Sequence, residues 1–140
     1  MDIYVYQQWK DYRWTGSGLG SFYSVFPKYR KEDVGGYYDH THNDYLEFAS
    51  ETGAVGSALL GLIVAMSIYA ALMAQYRRRD PIMRGISFAA IMSICAMLIH
   101  STVDFNLQIP ANAATFMLIL SMAWISYGFR NKVKNKQGNK

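Results

Sequence analysis

Ala54-Val55-Gly56-Ser57-Ala58-Leu59-Leu60-Gly61-Leu62-Ile63-Val64-Ala65-Met66-Ser67-Ile68-Tyr69-Ala70-Ala71-Leu72-Met73-Ala74-Gln75-Tyr76 contains no charged residue. A helix gains about 1.5 Å per residue, so this run can cross the roughly 30 Å hydrocarbon core of a bilayer. Directly ahead of it stand His42-Asn43, then nine residues, then Gly53-Ala54-Val55-Gly56. The spacing puts a titratable side chain just outside a predicted span. An imidazole changes charge near neutral pH and can act as base, acid or ligand.

Two more apolar runs follow, at about Gly85–Val103 and Ala111–Phe129. In lipid the backbone must satisfy its own hydrogen bonds, so all three runs are predicted as helices. A large soluble core is the competing reading, but the chain has too little polar sequence to cover it. The fold expected is all-α and integral to the membrane. Residues 1–53 form a loop segment with short interfacial helices, residues 54–129 the three-helix region, and residues 130–140 a basic tail.

Charge sets the expected orientation. Arg77-Arg78-Arg79-Asp80-Pro81-Ile82-Met83-Arg84 joins the first two spans, and the Lys/Arg tail follows the third. By the positive-inside rule both are cytoplasmic. Residues 1–53 and Asp104–Pro110 then face the periplasm, with Asp44, Glu47 and Glu51 as an acidic outer flank. The net charge of +4 is segregated rather than patched, so no nucleic-acid partner is expected. An outward N-terminal segment without an apolar leader suits a chain that followed earlier spans. The sequence is therefore read as the C-terminal piece of a longer multi-span protein, with an upstream fragment as partner. Cys95 is the only cysteine, which excludes an intramolecular disulfide; mid-span, it is expected to be a small buried hydrophobe.

Within the outer segment Ile3, Tyr6, Trp9 and Tyr12 recur every third residue, as on an interfacial helix with one apolar stripe. Gly16-Ser17-Gly18-Leu19-Gly20 lacks the third glycine of a dinucleotide fingerprint, since Ser21 stands there, and no strand precedes it. It is read as a tight turn. Asp39-His40-Thr41-His42-Asn43-Asp44 matches the His-x-His-x-Asp part of a metal box, but the further ligands of such a site are missing. No metal and no cofactor are expected. His100 and Asp104 stand four apart at the outer end of the second span, as an interhelical lock or as a pair that binds the acceptor. Lys28, Arg30 and Lys31 form a basic cluster that is either solvated or holds a diphosphate, with Arg30 first because its planar fork fits phosphate oxygens.

His42-Asn43-x9-Gly53-x-x-Gly56 resembles the motif of the bacterial O-antigen ligase family, which includes O-antigen polymerases and protein O-oligosaccharyltransferases. The resemblance extends upstream through Gly16-Ser17-Gly18-Leu19-Gly20-Ser21-Phe22 and Phe26-Pro27-x-Tyr29-Arg30. Downstream it takes in Glu51-Thr52-Gly53, His100-Ser101-Thr102-Val103-Asp104-Phe105 and Ile109-Pro110-Ala111-Asn112-Ala113.

The family implies a multi-pass protein of the bacterial inner membrane that uses an undecaprenyl-diphosphate-linked glycan as donor. The acceptor is a hydroxyl of a lipid A–core sugar, of a growing polysaccharide or of a protein. Carried onto this chain, the resemblance makes His42 the catalytic residue. Arg30, Lys28, Asn43, His100 and Asp104 become substrate-binding candidates, and membrane lipids further partners. A second reading is a non-catalytic remnant or accessory membrane protein. A third is a transporter or channel subunit, which would be expected to place polar residues near the bilayer midplane.

Overall fold

A computed structural model describes residues 2–29 and 43–128, and all regular structure among them is helical. Helix α1 (Asp2–Asp11) and the short α2 (Phe22–Val25), which runs into a 3-10 turn at Phe26–Lys28, precede three long helices. These are α3 (Asp44–Arg77), α4 (Pro81–His100) and α5 (Pro110–Gly128), with a second 3-10 turn at Asn106–Gln108. Each long helix has the length and apolar composition to cross a membrane.

The expected spans differ from these helices at their ends, for local reasons. Helix α4 starts at Pro81 rather than Gly85 because the Asp80 side chain accepts the N–H of Ile82 (2.9 Å), and proline is preorganised for a first helical position. It stops at His100, three residues early, in a turn where Thr102 and Val103 donate to the carbonyls of Ile99 and His100. Helix α3 runs for 34 residues, about 50 Å at the helical rise, so its first turns stand clear of the hydrocarbon.

The three long helices pack through small side chains. Ala71, Ala90 and Ala123 meet at one level, and Ile94, Phe116 and Leu120 fill the layer towards the outer end. Small residues let helix backbones approach closely where lipid supplies no hydrophobic drive. Polar ties add register: the Trp124 indole donates to Ser67 Oγ (3.1 Å) and Gln75 to Ser87 Oγ (2.8 Å). The outward faces are apolar, with Leu59, Leu62, Phe88, Ile99 and Leu118 exposed. Cys95 is exposed as well, which corrects the expectation of a buried thiol; α4 turns Ile94 inward instead.

The outer region has its own small core, in which Val5, Phe22 and Phe26 are buried with Leu46 of α3 against them. The Phe22 and Phe26 rings stack at 4.7 Å. Helix α1 packs through Val5 and Gln8, while Tyr6 and Tyr12 of the predicted stripe are exposed. Two rings of the stripe, Tyr6 and Tyr12, thus face outward, and Tyr6 stacks on the half-buried Trp9 at 5.7 Å.

Candidate functional site

The motif His-Asn-x9-Gly-x-x-Gly becomes a physical object in α3. Asn43 is its N-cap, with extended backbone and a side-chain oxygen accepting the N–H groups of Tyr45 (3.0 Å) and Leu46 (3.3 Å). The nine residues Asp44–Thr52 make the first two and a half turns. Gly53 then breaks the helix with φ 65° and ψ −171°, a conformation essentially restricted to glycine. The spacing of the motif is the length of a helical segment bounded by a cap and a break. His42, the residue directly before the cap in sequence, lies outside the described residues.

What the break releases, the glycine-rich turn takes up. In a straight helix the N–H groups of residues 54 and 55 would donate to the carbonyls of residues 50 and 51. Here Ala54 donates to the Arg13 carbonyl (2.9 Å) and Val55 to the Trp14 carbonyl (3.3 Å). The Ser50 and Glu51 carbonyls accept instead from Ser17 (3.0 Å) and Gly18 (2.9 Å). Residues 13–18 are therefore spliced into the ladder of α3 at its kink. The approach is so close that a Cβ at Gly16 would lie 2.0 Å from the Glu51 carbonyl oxygen, and one at Gly53 would lie 2.5 Å from the Gly16 nitrogen. Gly16, Gly18 and Gly20 all have positive φ. The turn reading of this segment holds, and its partner is the kink.

A polar seam lines the splice. Ser17 Oγ lies 2.7 Å from Ser21 Oγ, accepts from Gln8 Nε2 (3.2 Å) and donates to the Ser50 carbonyl (3.2 Å). Glu51 Oε1 accepts the N–H of Phe22 (2.9 Å). Asp44, Glu47 and Glu51 are each only 1 % exposed. The acidic outer flank expected from charge counting is therefore a buried stripe at positions i, i+3 and i+7. Glu51 Oε2, Asp44 Oδ1 and Gln8 Oε1 are buried without a hydrogen-bond partner among the described residues. The spacing 44-47-51 was the signal in the sequence, since these positions share one helix face.

The start of α3 is also stapled to the far connection. The Asp44 N–H donates to the Ser101 carbonyl (3.1 Å), and Asp44 Oδ2 accepts the N–H of Leu107 (3.0 Å). Tyr45 Oη donates to the Leu98 carbonyl (2.8 Å). Asn43 is thereby brought to the same end of the bundle as His100 and Asp104. His100 Nε2 and Asp104 Oδ2 stand 3.7 Å apart, about half exposed. They meet across the turn that ends α4 rather than along one helix. With Asn43 and the Ser101 carbonyl occupying the first N–H groups of α3, the helix start offers no free amide cradle for an anion, so a diphosphate here needs side-chain cations.

Lys28 is exposed at the end of the 3-10 turn. Beside it, Tyr29 Oη donates to Asp11 Oδ2 (2.7 Å), and this hydrogen bond to a carboxylate, with smaller help from burial and nearby charge, pushes the phenol up to about 12. Arg30, Lys31 and the Asp39–His42 box lie outside the described residues. The structure thus brings Asn43, His100 and Asp104 to one end of the bundle, and leaves Lys28 in the separate 3-10 turn that follows α2.

A chain with three helices long and apolar enough to cross a membrane and, at one end, a capped, glycine-broken helix locked to a glycine-rich turn has the make-up of an integral membrane protein. Over residues 3–61 it matches the family model described as O-antigen ligase, the family that the His42–Gly56 motif resembles. The matched stretch runs from α1 through the splice and into the span of α3, and includes Lys28, Arg30, His42 and Asn43. No curated protein and no solved structure matches the chain.

Proposed function

We propose that this chain serves glycan transfer from an undecaprenyl-diphosphate-linked donor to a hydroxyl acceptor, a lipid A–core sugar or a growing polysaccharide, at the periplasmic face of the inner membrane. The observation that carries the reading is the cap-and-break helix, which fixes the residue after His42 at a rigid element standing just outside the span. A lipid-anchored diphosphate lies at the same depth.

In this reading His42 takes the proton of the acceptor hydroxyl, a poor nucleophile at neutral pH. A positioned base typically contributes about 10²–10⁴-fold. The hydroxyl oxygen forms a bond to the anomeric carbon while that carbon's bond to the diphosphate oxygen breaks. The lipid diphosphate leaves as an anion, and cations stabilise the charge where it develops; Arg30 and Lys28 are assigned that role. Attack opposite the leaving group inverts the anomeric centre. Asn43, the residue after His42, holds the helix start, and His100 with Asp104 receives the acceptor at the neighbouring connection. The step draws on side chains alone, so it proceeds without a metal or cofactor.

Membranes containing the chain together with its expected upstream spans should transfer glycan from the lipid-linked donor in excess chelator. The product linkage, read by NMR, should be inverted relative to the donor. Loss of transfer restored by zinc, or a retained linkage, would overturn the reaction as written.

A further inference from the structure

The opposite end of the bundle holds a second polar feature. Between the end of α3 and the start of α4 opens a pocket of about 360 Å³ lined by Gln75, Arg79, Pro81, Arg84, Gly85 and Phe88. It is a shallow hollow open along one side rather than an enclosed cavity. Its position is what distinguishes it: α3 ends at Arg77 and α4 begins at Pro81, so the pocket sits where two spans leave the hydrocarbon, at headgroup depth.

Its walls combine two chemistries. Arg79 and Arg84 are exposed, and neither has an ion-pair partner among the described residues. Of the two other arginines in the connection, Arg77 does not line the pocket and Arg78 donates to the Tyr127 carbonyl of α5. The only acid in the connection, Asp80, has an oxygen engaged in capping Ile82. Arg84 is held from behind, because Gln75 donates to its carbonyl and to Ser87 Oγ, fixing α4 against α3 at this level. Below the arginines the lining turns apolar, with Phe88 60 % exposed on the lipid side. A Cβ built on Gly85 would meet nothing within 4 Å, so the floor is open.

We infer that this pocket binds the phosphodiester of an anionic phospholipid, phosphatidylglycerol or cardiolipin, with Arg79 and Arg84 on the phosphate oxygens and an acyl chain along Phe88. The argument is charge complementarity at the right depth. Basic pockets between spans suit acidic headgroups, and arginine's fork fits phosphate oxygens. A free phosphate would use the arginines but gain nothing from the apolar floor.

The test is native mass spectrometry of the full chain, released from nanodiscs of mixed phosphatidylethanolamine and phosphatidylglycerol. A basic residue near an anionic surface is worth about a factor of five in affinity. Arg79→Gln with Arg84→Gln should therefore cut retained phosphatidylglycerol by roughly 25-fold, while Arg77→Gln, in the same connection but outside the pocket, should leave it unchanged. Gly85→Leu alters no charge and should also lower retention by occupying the floor. Equal loss from Arg77→Gln, or full retention by Gly85→Leu, would reduce the effect to a generally basic surface and overturn the site. Retention of phosphatidylethanolamine equal to phosphatidylglycerol, or displacement of the lipid by inorganic phosphate, would overturn it too.

Discussion

Residues 2–29 with 43–53, and residues 54–128, are held together by different means. In the first region backbone meets backbone: the Arg13–Gly18 segment exchanges four hydrogen bonds with α3 at its kink, and glycines stand where a Cβ would strike a carbonyl. In the second, helices touch through alanines and branched side chains, with a few serine and tryptophan contacts between them. Side-chain packing can yield to substitution, whereas interlocked backbone cannot. The region that holds the motif around Asn43 and Gly53 is the one with the least freedom to adjust.

The sharpest way to break this contrast is to add one methyl group in each region. Gly53→Ala should be severe, because the backbone conformation alone costs about 1–3 kcal/mol for a non-glycine residue, before the 2.5 Å clash with Gly16 and Trp14 is counted. Gly61→Ala, in the span with nothing within 4 Å of its Cβ, should be neutral or slightly stabilising. Proteolysis at the 13–18 turn in detergent would compare them. Equal resistance of the two variants would refute the splice.

Asn43→Ala removes the cap, and the usual cost is about 1 kcal/mol. The expected result is a lower unfolding midpoint together with reduced glycan transfer, since the proposed base is the residue directly before the cap. A stability loss with transfer untouched would separate the helix start from the reaction.

Much of this division was legible in the chain. Apolar length gave the three spans, and the unbroken charge-free run from Ala54 to Tyr76 needed no tertiary information. The helix ends were less legible, because the Asp80–Pro81 cap extends α4 into a charged connection and the Ser101 carbonyl turns away to meet Asp44. The glycine turn could be read as a turn, but its partner could not: only tertiary structure shows that Gly16 and Gly53 face each other. Asp44, Glu47 and Glu51 were read only as an acidic flank that suited the topology, while their i, i+3, i+7 spacing already put them on one face. Cys95 was misjudged since in a span outward does not mean wet, and composition cannot choose the lipid-facing side of α4. The metal-box reading and the role of Arg30 rest on residues outside those described.

In the membrane region Ser67→Ala should be mild. It deletes the hydroxyl that accepts from Trp124, and interhelical hydrogen bonds of this kind average about 0.6 kcal/mol. A large fall in the unfolding midpoint would show that the spans depend on polar contacts as strongly as the outer region does.

The smallest effect concerns Tyr29. Its phenol is raised to about 12 by the bond to Asp11, so its neutral form is favoured in the folded chain. The contribution is complete below about pH 10 and is lost as pH rises through about 12. It should leave behaviour at neutral pH unaltered. A difference titration of the wild type against Tyr29→Phe should show one tyrosine ionising near pH 12; a midpoint near 10 would dissolve the contact.

Glycan transfer by His42→Ala, compared with His40→Ala in the same complete membrane system, tests the central claim most directly. His42 adjoins the capped helix in a polar segment outside the span, so its removal should spare expression and insertion. The account predicts that His42→Ala abolishes transfer on a lipopolysaccharide or glycan gel, with His40→Ala milder. Full transfer by His42→Ala would contradict it, leaving the capped, broken helix as scaffold without the base it is proposed to carry.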